Sequence, residues 1–300
     1  IKLLVEQSSF ISCKTSSTQG GAIYFSNTNN GECVLSKLCG FDCLTTTTSG
    51  DNGMFARIYT KIKNNVNESS VTRSYEEIAN SQNELRLECD YILCPFVNVT
   101  HTRCYWDLIE LYPKVITGTV TCCISYCSIV NNTARSYGIV VHQKSGSSQV
   151  IDTCNILNNK QDTTSNAIIY TSANLHIKDL CILGNGEGRR VFQASSYSIT
   201  ISNCTIDDDI KSGRTSGNVI INKTIERTFI NALSHIATQN CDSHFDSYGT
   251  LTVNPIVTSK SSRCLLSCNY KYPMIDGLRR FEFMFLLTFL PSDTSDYDIF

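Results

Sequence analysis

The amino-acid sequence predicts an all-β fold in which short parallel strands stack as the coils of a solenoid. The first observation is a repeat, because CSIVNN at 127–132 returns twenty-seven residues later as CNILNN at 154–159. The second is that further steps of twenty-seven and twenty-three residues reach Cys181 and Cys204. The third is a composition of 65 Ser and Thr, 25 Asn and only 5 Pro in 300 residues, which suits many short strands and polar turns. A fixed period indicates a repeat architecture.

Each repeat contains two or three short strands. β-branched runs lead into the cysteines, as in VIDTC at 150–154 and SITISNC at 198–204, and another apolar run follows, as in AIIY at 167–170. Such runs, bounded by Gly, Asn, Ser and Thr, are the sequence signal of strands. No segment of 119–253 has the length and 3.6-residue period of a helix.

Stacking follows from burial, because one repeat cannot bury its apolar side alone whereas stacked copies share a core. Strands that recur once per coil form parallel sheets. Possible repeat starts predict roughly nine coils in a rod about 40 Å long, at a spacing of about 4.8 Å; they fall at residues 13, 43, 74, 104, 127, 154, 181, 204 and 241. We place the solenoid at 1–258 and a C-terminal cap or linker at 259–300, because the composition changes after Lys260.

Two side-chain positions define the repeat. We expect a ladder of small inward-facing thiols at Cys127, Cys154, Cys181 and Cys204. The fourth residue after each cysteine is predicted to form the corner of its coil. Asn and Asp tolerate left-handed backbone there, and stacked Asn side chains can hydrogen-bond from coil to coil. These corner residues are Asn131, Asn158, Asn185 and Asp208.

The chain has 16 cysteines, a number that suits an oxidising, secreted setting. Neighbouring ladder positions have parallel Cβ vectors, which suit disulfides poorly, so we expect most ladder thiols to stay unpaired. Disulfides are predicted off the ladder, for instance between Cys33 and Cys39 or between Cys264 and Cys268.

Charge and motifs exclude several function classes. A net charge of −2 with scattered Lys and Arg provides no basic surface for nucleic acid. The chain has no C-x-x-C and no H-E-x-x-H, so neither a zinc site nor any cofactor is expected. The apolar segment FEFMFLLTFL at 281–290 is too short to span a bilayer, which takes about twenty residues. We expect it to cap the rod, with interfacial membrane attachment as the alternative.

One stretch resembles a known family. FISCKTSSTQGGAIYF at 10–25 resembles the GGA[ILV] repeats of polymorphic-membrane-protein β-helices from chlamydial autotransporters. With GECVLSKLCGFDC at 31–43 and SITISNCTID at 198–207, the chain looks closer still to the Pmp-like surface proteins of Trichomonas. This resemblance covers about residues 8–258. It implies a right-handed parallel β-helix and a cell-surface or secreted protein in contact with a host.

The predicted function is therefore non-enzymatic: adhesion to a host-cell surface, to matrix or to a glycan. The first alternative is a polysaccharide lyase or hydrolase of the pectin-lyase-like fold, which needs paired carboxylates as acid and base. Asp207, Asp208 and Asp209 are the only dense carboxylate group, and we expect them to form a turn instead. A structural stalk is the further alternative. Clustered acid, His and Lys or Arg residues on one face favour the enzyme, whereas aromatic residues on a sheet face, such as Tyr105 and Trp106, favour binding.

Overall fold

The structure is a computed structural model that describes residues 1–16, 20–45, 52–74, 82–114, 120–135, 138–142, 148–161, 167–186, 190–207, 214–224 and 231. Every regular element in these ranges is a strand, and the parallel pairing confirms the predicted all-β solenoid. The described residues form fewer complete coils than the roughly nine predicted. The chain divides into two units, Ile1–Leu251 and Thr252–Phe300, and all the described residues belong to the first. The predicted segment 259–300 lies outside them.

Three stacks of parallel strands build the coils. The first stack contains β1 (Lys2–Glu6), β5 (Glu32–Ser36), β9 (Lys63–Asn67), β12 (Tyr91–Pro95), β16 (Val120–Ser125), β20 (Ser148–Asp152) and β24 (Asn174–Lys178). The second contains β2 (Ser9–Ile11), β6 (Cys39–Phe41), β10 (Ser69–Thr72), β13 (Val97–Thr100), β17 (Ser128–Val130), β21 (Asn155–Leu157) and β25 (Cys181–Leu183). The third contains β4 (Ile23–Asn27), β8 (Asn52–Thr60), β11 (Gln82–Cys89), β15 (Ile109–Pro113), β19 (Val140–His142) and β23 (Ala167–Thr171).

Two longer strands close the described part of the solenoid. The long strand β26 (Arg190–Ile206) bends through all three stacks and pairs in turn with β23, β24 and β25. Strand β27 (Thr215–Thr224) pairs with β26. Five two-residue strands form minor pairings beside the second stack: β3 (Lys14–Thr15), β7 (Leu44–Thr45), β14 (Arg103–Cys104), β18 (Thr133–Ala134) and β22 (Lys160–Gln161).

Apolar side chains stack along the interior because successive residues of a strand face opposite sides. In the first stack one register position is buried from the second coil onward, and its residues belong to one continuous core. They are Leu35, Val66, Cys94, Ile124, Ile151, Ile177 and Ile201. The coil spacing of about 4.8 Å brings like side chains into contact, so burial accumulates with each added coil.

Each coil turns at two corners where one residue has left-handed backbone. At the first corner, φ lies between 48° and 57° for Gln7, Lys37, Glu68, Phe96, Tyr126, Thr153, Asp179 and Asn203. This conformation costs an L-residue roughly 1–2 kcal/mol. The next coil compensates because the N–H groups of the first seven of these residues bond to its carbonyls, as in Thr153 N to Lys178 O at 3.0 Å. The corner geometry is therefore imposed by stacking, since residues of many types adopt it.

The outer surface of the second stack carries an apolar cluster that is itself buried. Val130, Leu157 and Cys181 lie on this side and are at most 5% exposed. Asn231 lies beside them, and its backbone N–H donates to Asn155 Oδ1 at 3.0 Å while Asn155 Nδ2 donates to Asn231 O at 2.9 Å. This part of the second stack is covered by the chain itself.

Candidate functional site

Two outward rows of the third stack bring together charged and aromatic side chains. Strands β4, β8, β11 and β15 pair in register, and their inward residues, such as Ala56 and Leu87, are buried. The outward residues of one row are Tyr24, Arg57, Arg86 and Glu110, and those of the neighbouring row are Ser26, Tyr59, Glu88 and Tyr112. We call these eight residues, with the ammonium group of Lys114, the third face.

Both carboxylates of the third face are paired with cations. Glu110 Oε2 lies 3.0 Å from Arg86 Nη1, and Glu88 Oε1 lies 3.3 Å from Lys114 Nζ. The same Nζ lies 3.8 Å from the centre of the Tyr59 ring, where the ring quadrupole attracts a cation. Partial desolvation lowers the pKa of Lys114, but Tyr59 and Glu88 raise it by more, so the net shift is upward. Lys114 therefore stays charged.

Arg57 is the exception among the cations of the third face. Its side chain is half-buried, and it makes no ion pair or hydrogen bond with any residue that the structure describes. Its register neighbours are Tyr24, which is 45% exposed, and Arg86, which Glu110 holds. The guanidinium of Arg57 is thus available to a ligand.

A buried polar network lies at the start of β15, next to the third face. Asn83 Nδ2 donates to Glu110 Oε2 at 2.6 Å, and the Asp107 backbone N–H donates to Asn83 Oδ1 at 3.1 Å. Asp107 is only 4% exposed and Glu110 only 7%. Burial raises the pKa of Asp107 well above its usual range, and Glu110 raises it further, while Gly138 and Arg86 oppose the shift. Asp107 therefore favours its protonated form, whereas Glu110 forms an ion pair with Arg86.

Glu84 lies in the interior beside a bulge in β8. The pairing of β11 with β8 shifts between Asn83 and Leu85, and the N–H groups of Glu84 and Leu85 both donate to Leu108 O. Met54 and Phe55 of β8 lie opposite Glu84 alone, and the Glu84 side chain lies in the core, where it is fully buried. Burial raises the pKa of Glu84 to about 8, and the neighbouring Ser74 hydroxyl opposes the shift only in part.

The aromatic residues Tyr105 and Trp106 do not lie on a sheet face. They fall between β14 and β15, with their rings edge to face at 5.9 Å. The Arg135 guanidinium lies 5.3 Å from the centre of the Tyr105 ring. The tyrosines of the third face, which do face outward from a stack, are Tyr24, Tyr59 and Tyr112. Sequence inspection missed them because they are 35 and 53 residues apart, which is not a fixed period.

The predicted cysteine ladder has one wrong member. Cys127, Cys154 and Cys204 stack at the interior side of the first corner, where Cys127 N donates to Cys154 Sγ at 3.3 Å. Leu180 takes the intervening place, and its N–H donates to Cys204 Sγ at 3.4 Å. Cys181 instead pairs in register with Asn155 and faces outward, because its coil is one residue shorter than predicted. All four are free thiols.

The predicted asparagine row divides into two rows. Asn131 and Asn158 are corner residues with φ of 56° and 53°, and Gly184 takes the third place with φ of 66°. Asn185 was predicted in this row, but it stacks one position further on, with the buried Asn132 and Asn159. Asn159 Oδ1 accepts from Asn132 N at 3.0 Å, and Asn185 Oδ1 accepts from Asn159 N at 3.0 Å. The coil-to-coil bonds expected of the corner residues are therefore made by their C-terminal neighbours.

Three of the outer repeat starts belong to this second corner and not to the cysteine ladder, whereas Cys104 lies beyond the corner in register with Ala134. Cys13, Cys43 and Ser74 occupy the same register position as Asn132, as the pairing of the strands before them requires. The predicted series of repeat starts thus combined residues from two different corners of the coil. Cys241 lies outside the described residues.

Asp207 accepts a backbone hydrogen bond, as expected for a turn residue. Its Oδ2 accepts from Gly184 N at 2.7 Å. Backbone carbonyls do the same for the preceding corners, where Asn158 N donates to Leu183 O at 2.9 Å. Asp208 and Asp209 lie outside the described residues.

The expected Cys33–Cys39 disulfide is wrong. Cys33 is a free thiol buried inside the first stack, facing the core. Cys39 is disulfide-bonded, but not to Cys33. Cys264 and Cys268 lie outside the described residues. Within the described ranges, no three His, Cys, Asp or Glu side chains gather where they could hold a metal ion.

No protein-family model, curated protein or solved structure matches the chain. The resemblance to Pmp-like proteins therefore stays a prediction. In the part of the chain that the structure describes, no helix has the length and apolar character to cross a membrane. The apolar segment 281–290 lies outside that part.

Proposed function

We propose that the chain is a non-enzymatic carbohydrate-binding β-helix and that the third face binds the ligand. The observation that supports this most is the joint presence of three outward tyrosines and the unengaged Arg57 on adjacent register rows. Tyrosine rings offer apolar area for the C–H side of a sugar, and their hydroxyls offer hydrogen bonds. Arginine adds a planar set of donors for sugar oxygens.

The extent of the third face suits a polymer better than a single small molecule. Its side chains come from four successive coils spaced at about 4.8 Å, so a polysaccharide laid along the stack can contact several of them at once. Host-cell surface and matrix are rich in such polymers. Display at a cell surface or secretion belongs to the same proposal, in line with the resemblance.

Binding titrations with a panel of neutral and acidic polysaccharides test the proposal. We expect at least one of them to bind the parent chain, and Tyr59→Ala to weaken that binding about tenfold, which corresponds to roughly 1.4 kcal/mol. The matched control is Tyr197→Ala, on β26 and away from the third face, which should bind as the parent does. Circular dichroism verifies that both variants fold. The proposal fails if no polysaccharide binds, or if Tyr59→Ala and Tyr197→Ala behave alike.

A polysaccharide lyase or hydrolase is the second candidate, and the pair Asp107 and Glu110 is the observation that favours it. Burial drives the Asp107 carboxyl toward its protonated form and Arg86 pairs with the Glu110 carboxyl, so the two carboxyls have the different environments that an acid and base pair needs. Their burial limits access for a polymer, which is why we rank this candidate second.

Turnover of pectin, polygalacturonate and host glycans separates the two candidates. Acid–base catalysis contributes about 10²–10⁴-fold, so Asp107→Asn would abolish a genuine activity. The double variant Asp207→Asn, Asp209→Asn tests the carboxylates that the sequence suggested. We expect no turnover by the parent or by either variant, and a parental activity that Asp107→Asn removes would establish the enzyme.

A further inference from the structure

We infer that the ligand of the third face is an acidic polysaccharide whose sugars carry carboxylate groups, and that Arg57 binds the carboxylate. This inference rests on the proposed function and names the ligand class of the same site. It follows from the charges of the face, from the position of Arg57 and from the tyrosines beside it.

The charges of the third face leave one cation unbalanced. It carries three cations, Arg57, Arg86 and Lys114, and two carboxylates, Glu88 and Glu110, a difference of one positive charge. Both carboxylates already have a cation within 3.3 Å. A neutral sugar would leave Arg57 uncompensated, whereas a carboxylate would complete the pairing.

Arg57 is the cation best placed to receive an anion. Arg86 is held by Glu110 and Asn83 holds that carboxylate in turn, so neither is free to reorient. Lys114 is fixed between Glu88 and the Tyr59 ring. The guanidinium of Arg57 can offer two parallel N–H donors to one carboxylate, the strongest arrangement for this pair of groups.

Aromatic rings flank Arg57 on two sides. Tyr24 is its register partner on the preceding coil, one coil spacing of about 4.8 Å away, and is 45% exposed. Tyr59 lies two residues along β8 on the same outward side. A sugar ring packed on Tyr24 therefore has its substituents within reach of Arg57, which selects a sugar with a carboxylate over one without.

Hyaluronate and its methyl ester test the inference, because esterification removes the carboxylate charge and keeps the sugar chain. Isothermal titration compares the parent with Arg57→Gln, Arg57→Lys and the control Lys160→Gln, whose exposed side chain lies on β22. We expect the parent and the control to bind hyaluronate at least tenfold more tightly than its ester. Arg57→Gln should lose this preference, and Arg57→Lys should retain part of it because it keeps the charge without the paired donors.

The outcomes separate this inference from the proposed function. The inference is wrong if both polymers bind the parent equally, Arg57→Gln changes neither affinity and Tyr59→Ala weakens both. In that case the third face binds the sugar but does not recognise its charge. If neither polymer binds, and no other polysaccharide does, the proposed function falls with it. Thermal melts of Arg57→Gln and Arg57→Lys that match the parent show that lost preference is not lost folding.

Discussion

Asn159 is the residue whose removal should most damage the stacking of coils. Its Oδ1 accepts from both the backbone N–H and the Nδ2 of Asn132, each at 3.0 Å. Its Nδ2 donates to Ile129 O at 2.8 Å and to Asn185 Oδ1 at 3.0 Å. Asn159→Ala deletes all four bonds in a position with no exposed surface.

The cost can be worked out from the groups left without partners. Asn132 Nδ2 keeps its bond to Val99 O, and Asn185 Oδ1 keeps the backbone N–H of residue 159. The Asn132 N–H loses its partner inside the solenoid, and the Ile129 carbonyl, which lies in the β17–β21 ladder, loses its side-chain donor. A buried polar group without a partner costs about 1–3 kcal/mol and a lost hydrogen bond about 0.5–1.5 kcal/mol, so the two together cost roughly 1.5–4.5 kcal/mol. That is a large part of a typical stability of about 5–15 kcal/mol.

Urea unfolding followed by circular dichroism measures this cost, and the adjacent Asn158 provides the control. Asn158 is exposed at the left-handed corner, where Gly184 serves in the next coil, so Asn158→Gly should change stability by less than about 1 kcal/mol. The reasoning is refuted if Asn159→Ala is no more destabilising than Asn158→Gly, since the Asn159 side chain is buried and bonds from coil to coil whereas Asn158 is exposed.

Three further predictions concern the interior. Burial raises the pKa of Glu84 to about 8, so the folded chain binds the proton more tightly and stability falls as pH rises from about 4.5 to 8. Glu84→Gln should remove up to about 5 kcal/mol of this fall in stability, at 1.36 kcal/mol per pKa unit. The prediction is contradicted if the urea unfolding midpoint shifts equally in the variant and the parent between pH 5 and pH 8. Burial raises the pKa of the Cys154 thiol well above 9.0, so iodoacetamide at pH 8 should label Cys154 only when urea unfolds the chain. Labelling of Cys154 in the folded protein, detected by mass spectrometry, would contradict this. Ile156→Asp places a charge in the core and should abolish the β-type circular dichroism spectrum, and a parent-like cooperative melt would count against the core assignment.

The sequence predicted the fold because the spacing of the repeat shows how often a buried position recurs along the chain. The steps among Cys127, Cys154 and Cys204 reflect real stacking, since coil-to-coil bonding restricts which side chains fit the corner interior. The position of each residue within the repeat was predicted less accurately. Cys181 looks like a ladder residue, but a coil one residue shorter places Leu180 there, and a thiol fits either side of the chain.

The third face could not be predicted in this way. Arg57, Arg86 and Glu110 are register neighbours, yet they are 29 and 24 residues apart because the turns between strands differ in length. A bulge in β8 opposite Glu84 shifts the register between β8 and β11 as well. An outward row imposes no shared chemistry on its members, so it leaves no periodic signal, whereas an inward row does.

Hydroxyl-radical footprinting, with and without hyaluronate, tests most directly whether the third face binds a polysaccharide. We predict that hyaluronate protects Tyr24, Tyr59 and Tyr112 from oxidation, and that Tyr126 and Tyr197, which lie on other parts of the coils, are oxidised equally in both conditions. Protection of Tyr126 or Tyr197 without protection of the third-face tyrosines, or unchanged oxidation at all five, would contradict the account.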